Sequence, residues 1–148
     1  MAIVLGSNFG YTVLAAVGIA LQCLVTSMSV SAARKKYDVK YPDNGGGRYS
    51  DKLSDEDWVA FNNIKRASDN YLEQIGSVLV MLTMAGLYQP KLAASFGASY
   101  IVGRFVYTRG YVAAGAKGRM YGAPIMGLSL LALLGTAAYN AFITTVLA

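Results

Sequence analysis

The sequence contains no histidine. That excludes Ser-His-Asp and Cys-His nucleophile systems, and with them histidine-ligated haem, zinc and non-haem iron. Its single cysteine, Cys23, closes no internal disulfide and cannot alone hold an iron-sulfur cluster or a structural zinc. Charge is scarce as well: Asp, Glu, Lys and Arg make up 14% of the 148 residues, against about 25% in a typical soluble domain. With 55% hydrophobic residues and a mean hydropathy of +0.40, the chain is too apolar for disorder and poorly suited to a water-soluble fold. A net charge of +5 would suggest nucleic acid in a soluble protein. In so apolar a chain the basic residues must first be placed relative to lipid, and no nucleic-acid partner is expected.

What the chain does have is four apolar blocks, read as helices over about 9–33, 59–88, 92–114 and 123–147, with polar loops at 34–58 and 115–122, all within one domain spanning 1–148. Residues 9–33 carry no charge, and about 20 apolar residues suffice to cross a ~30 Å hydrocarbon core. The block lacks a basic segment before it and is followed by Arg34, Lys35 and Lys36, which fits a membrane helix better than a cleaved signal peptide. Gln89-Pro90-Lys91 ends the second block. Because every backbone group needs a partner inside lipid, four such blocks predict an all-α integral membrane protein, a bundle of four transmembrane helices. Arg34, Lys35, Lys36, Lys40, Arg48, Lys52, Lys117 and Arg119 belong to the first and third connections and only Lys91 to the second. The positive-inside rule then predicts cytosolic loops and lumenal termini.

Charged residues within a span are costly, and each is a functional candidate that normally faces the bundle interior. On the second helix Arg66, Asn70 and Glu73 stand at i, i+4 and i+7, one stripe of one face, beside an i, i+4 pair of Lys65 and Asp69. On the third, Tyr100, Arg104, Tyr107 and Tyr111 form a second stripe; Tyr100 and Tyr121 also suit packing or an aromatic belt. Arg109 lies about 140° round from Arg104 and suits a lipid phosphate equally well.

These residues carry a resemblance. The stretch Phe61-Asn62-Asn63-Ile64-Lys65-Arg66-Ala67-Ser68-Asp69-Asn70-Tyr71-Leu72-Glu73 is similar to the R-A-x-x-N-x-x-E signature of the MAPEG family, the membrane-associated proteins of eicosanoid and glutathione metabolism. Residues 33–42, the segment from Val102 to Tyr111 and the turn Lys117-Gly118-Arg119 resemble further family segments, nearest to the type 3 microsomal glutathione transferase group. The resemblance implies a homotrimer that binds glutathione as co-substrate between subunits near the cytosolic face, with no metal and no haem. It implies that Arg34, Arg66, Asn70 and Glu73 hold the tripeptide, with Gln74 where some relatives have a binding tyrosine. Tyr107 and Tyr111 would supply hydroxyl donors, Arg104 would support them, and Arg119, with Tyr107, would be catalytic. Lys117 is the alternative thiolate stabiliser.

A thiol with a pKa near 8.5 is mostly protonated at neutral pH. A guanidinium about 4 Å away at an effective dielectric near 20 contributes on the order of 4 kcal/mol, against ~1.4 kcal/mol per pKa unit, so one arginine suffices. The implied activity is conjugation of glutathione to lipophilic electrophiles, or reduction of lipid hydroperoxides, in the endoplasmic reticulum membrane, with a mitochondrial membrane as alternative. Ser68-Asp69 departs from the family pattern and sets a negative charge beside a site for an anionic ligand. That leaves open a non-catalytic lipid-binding or scaffold protein, or an accessory subunit of a larger membrane complex.

Overall fold

In a computed structural model residues 5–146 are described. They form four long helices, α1 Phe9–Lys36, α2 Asp55–Tyr88, α3 Pro90–Gly118 and α4 Ala123–Val146, with 3-10 turns at Ser50–Lys52 and Arg119–Tyr121. α1, α2 and α4 are each long and apolar enough to cross a membrane. α3, of 29 residues, packs against the other three and carries Lys91, Arg104, Arg109 and Lys117 along its length.

The helix ends follow from local chemistry. α1 runs three residues beyond Ala33, because Arg34, Lys35 and Lys36 in its last turn oppose the negative end of the helix dipole. α2 begins at Asp55, so the acidic residues expected in the loop form its first turn. The Ser54 hydroxyl accepts the Asp57 N–H at 3.2 Å, and Asp55, Glu56 and Asp57 sit at the positive end of the dipole. Gln89 alone separates α2 from α3, whose first residue is Pro90, a position where the missing N–H costs nothing. Regular α3 geometry breaks at Ala114 and Gly115, the latter at φ 60°, ψ −146°, a backbone state open essentially to glycine alone.

The core is partly polar. Arg104, Tyr71, Tyr100, Phe61, Ile19, Leu82 and Leu133 are all completely buried. Leu14, Leu24 and Met28 of α1 and Leu128, Leu131 and Phe142 of α4 are more than half exposed. Such faces belong against lipid or another subunit.

The connection from Tyr37 to Ser54 is an ordered loop organised by one carboxylate. Buried Asp43 accepts the backbone N–H groups of Gly45, Tyr49 and Ser50, each at 2.8 Å, and the Ser50 hydroxyl. Burial alone would raise its pKa; the hydrogen bonds from Ser50, Gly45 and Tyr49 outweigh it and hold the carboxyl well below the ordinary carboxylate range.

Candidate functional site

The site grows from the seam between α2 and α3. Arg104 lies completely buried between the rings of Tyr71 and Tyr107, its guanidinium carbon 4.2 and 4.8 Å from their centroids. It donates from Nη1 to Asn70 Oδ1 at 2.7 Å and from Nη2 to the Ala67 carbonyl at 2.8 Å, while Nε has no partner. No carboxylate belongs to this set. The Tyr100 hydroxyl donates to Gln74 Oε1 at 3.3 Å. The Tyr71 hydroxyl shares its proton between the Ile19 carbonyl at 3.0 Å and Gln22 Oε1 at 2.9 Å, tying α1 to the same network.

These bonds fix the polarity of what remains. Arginine only donates, and with Arg104 and the Tyr100 hydroxyl donating to the amide oxygens of Asn70 and Gln74, both amides keep their NH2 groups for a ligand. A cavity of about 230 Å³ opens there, lined by Asn70 and Gln74 of α2, Tyr107 of α3 and Arg119 of the following turn. Ala123, Met126, Gly127 and Leu130 of α4 form its apolar wall. Donors and a cation line the cavity, and no acidic side chain does; that is a setting for an anion.

Glycine holds Arg119 there. A Cβ on Gly118 would strike the Gly110 carbonyl, and one on Gly122 would strike the backbone of Tyr107 and Gly103. The turn carrying Arg119 therefore lies directly on the α3 backbone at both its ends.

The other residues named from the sequence are placed differently. Tyr111 stacks obliquely on Tyr107, centroids 5.8 Å apart, and so extends the aromatic edge of the site. Arg66 and Glu73 sit on the outer face of α2, 3.9 Å from each other and each more than half exposed. Arg34 is turned away into the first loop: Nη1 donates to the Val39 carbonyl at 3.3 Å, Nη2 to Asn44 Oδ1 at 2.9 Å, and the guanidinium covers the Tyr41 ring at 4.1 Å. Lys117 is exposed and does not line the cavity. Lys65 and Asp69 form a half-buried ion pair, so the extra negative charge of Asp69 is matched. Among the described residues no three of Asp, Glu, His and Cys gather as a metal site.

Two contributions escape the reading by residue type. Gln22 and Tyr71 join the network through tertiary contacts that no spacing announces. The α4 wall had a signal: Ala123, Met126, Gly127 and Leu130 stand at i, i+3, i+4 and i+7, one stripe of a helix that otherwise reads as plain apolar surface.

Comparison with known proteins supplies two findings. A family model described as the MAPEG family matches residues 12–139. The chain is also 35% identical over 112 residues to the uncharacterized protein sll1147 of Synechocystis sp., an alignment covering 75% of this chain and 73% of that protein.

Proposed function

The chain belongs to the MAPEG family, and on that premise we propose that it is a membrane-bound glutathione transferase, with glutathione-dependent peroxidase activity as the variant of the same chemistry. The supporting observation is the cavity in which Asn70, Gln74, Tyr107 and Arg119 offer hydrogen-bond donors and a positive charge, with no acidic side chain in the lining. Glutathione brings two carboxylates and a thiol that must ionise. The buried Arg104, without an anionic partner, adds positive potential behind Asn70 and Tyr107.

In this reading Asn70 and Gln74 donate to the peptide and Arg119 holds the thiolate, with Tyr107 as an additional donor. The thiolate attacks the electrophilic carbon of a lipophilic substrate arriving from the bilayer. The C–S bond forms as the bond to the leaving group breaks or, in a conjugated carbonyl compound, as the C=C electron pair shifts towards the oxygen and the adduct takes a proton from water. With a hydroperoxide it attacks the distal oxygen, the O–O bond breaks, and a second glutathione completes the reduction. Glu73 and Arg66 lie outside the cavity of one chain, on a free helix face. This supports a homotrimer in which the ligand reaches from the cavity to that face across a subunit boundary. Arg34, on α1, would act from a neighbouring subunit, and Lys117 stays the alternative thiolate stabiliser. The type 3 group, the cytosolic orientation of the loops, and the endoplasmic reticulum or mitochondrial membrane belong to this same proposal.

A second reading, a non-catalytic lipid-binding or scaffold protein or an accessory subunit, is favoured by the pairing of Arg66 with Glu73 and of Arg34 with Asn44, since a tripeptide must displace both. One titration separates the two. Detergent-purified protein should bind glutathione saturably and lower the pH midpoint of thiolate absorbance near 240 nm below the free thiol's value near 8.5. Binding with an unshifted midpoint supports the scaffold, and the absence of saturable binding removes the transferase reading.

A further inference from the structure

A second concavity, of about 360 Å³, lies between α1 and α3, with Ile64 of α2 at its floor. It is separate from the cavity above. At about 100° per residue, Phe105 and Arg109 point roughly 160° away from Tyr107 around α3, on the opposite side of the helix. Val25, Ile64, Phe105 and Val112 make the walls apolar, and the groove follows α1 from residue 22 to residue 29, about 10 Å at 1.5 Å per residue. Its volume falls at the low end of the range for small-molecule sites and suits one chain of a lipid.

Two polar groups in it lack partners. The Thr108 hydroxyl is buried with no hydrogen bond. Among the described residues Arg109 pairs with no carboxylate; its guanidinium lies 5.3 Å from the Phe105 ring centroid and is otherwise open to the groove mouth. Ile64 adjoins Lys65 and Arg66 in the stretch of α2 that carries charge from Asp55 to Glu73, which sets this end of the groove towards the polar side of the bundle, where lipid headgroups are expected. An unmatched guanidinium there calls for an anion, and its forked donors fit a phosphate. The basic residues of the adjoining loops also enrich anionic phospholipid on that surface.

We infer that the α1–α3 groove is a binding site for one anionic phospholipid, an acyl chain lying along Val25, Phe105 and Val112 and the phosphate held by Arg109. This is independent of the glutathione reading and stands whether or not the protein is an enzyme.

Native mass spectrometry of the detergent-purified full chain tests it, with phosphatidylglycerol and phosphatidylcholine of identical acyl chains as probes. Wild type should retain phosphatidylglycerol roughly tenfold over phosphatidylcholine, the scale of one charge-assisted contact. Arg109→Gln, at an exposed position, should bring the ratio to within about twofold. Val25→Trp, which fills the groove, should cut retention of both lipids. Equal retention of the two lipids by wild type overturns the selectivity for an anionic headgroup, and an undiminished preference in Arg109→Gln overturns the assignment of that headgroup to Arg109. Unchanged retention by Val25→Trp overturns the placement of the chain. Displacement of phosphatidylglycerol by equimolar oleate overturns the phospholipid in favour of a free fatty acid.

Discussion

Arg104 and Asn70 meet at 2.7 Å, Nη1 to Oδ1, and neither contributes a negative charge. A completely buried guanidinium thus rests on an amide, two tyrosine faces and a backbone carbonyl. The arrangement is expensive in the empty protein and productive once an anion enters, because the positive potential is already in place.

Asn70→Asp should separate stability from binding. A carboxylate at that oxygen neutralises Arg104, and the empty protein should gain about 1–2 kcal/mol, a few degrees in Tm. The same change removes an NH2 donor and adds negative charge at the cavity, so the dissociation constant for glutathione should rise at least tenfold. Thermal melts with and without glutathione check both signs. A variant less stable than wild type without ligand would show that Arg104 is already satisfied.

Glu73→Gln keeps the shape of the side chain and removes the anion expected to hold the glutathione ammonium. The loss should be about 1.5–3 kcal/mol, read by calorimetry as a dissociation constant ten- to a hundredfold higher. A change within twofold in an intact oligomer would make Glu73 an interface residue without contact to the ligand.

Arg119→Ala should reduce turnover much more than affinity, because the lost charge acts on the thiolate more than on the rest of the tripeptide. The pH midpoint of thiolate absorbance should move up towards 8.5. Lys117→Ala, at an exposed position outside the cavity, is the control. If it alone moves the midpoint, the thiolate cation is Lys117.

The first loop should be acid-sensitive. Because the Asp43 carboxyl is held below its ordinary range in the folded loop, its contribution is complete above the unfolded value near 3.9 and fades as pH falls through the acid range. Asp43→Asn removes one acceptor oxygen and the charge, and should expose residues 37–54 to protease at pH 7 while leaving the helices intact. Wild type should become equally sensitive only well below pH 4. A variant as resistant as wild type at neutral pH would mean the loop is held elsewhere, for instance by Arg34 on Asn44.

The helical blocks were legible because charge and proline punctuate long apolar runs: Arg34 to Lys36 close one and Gln89-Pro90 closes another. The start of α2 was less so, since Asp55 to Asp57 look like solvated loop until Ser54 is recognised as their cap. Periodicity placed Asn70 and Arg104 each on a polar stripe. It could not tell that Asn70 spends its oxygen on Arg104, a choice made only when α2 and α3 pack. Arg34 shows the opposite limit: its residue type suits a ligand, but within one chain it has closer uses at Val39, Asn44 and Tyr41.

The glycines under the Arg119 turn make that arginine and Tyr107 parts of one rigid piece. With Gly118 seated on Gly110 and Gly122 on Tyr107 and Gly103, neither end of the turn can shift without α3. The half of the cavity carrying Arg119 and the phenol therefore belongs to α3, and the half carrying Asn70 and Gln74 belongs to α2. The width of the cavity is set by the seam between those two helices, which Arg104 spans through its bonds to Asn70 and Ala67.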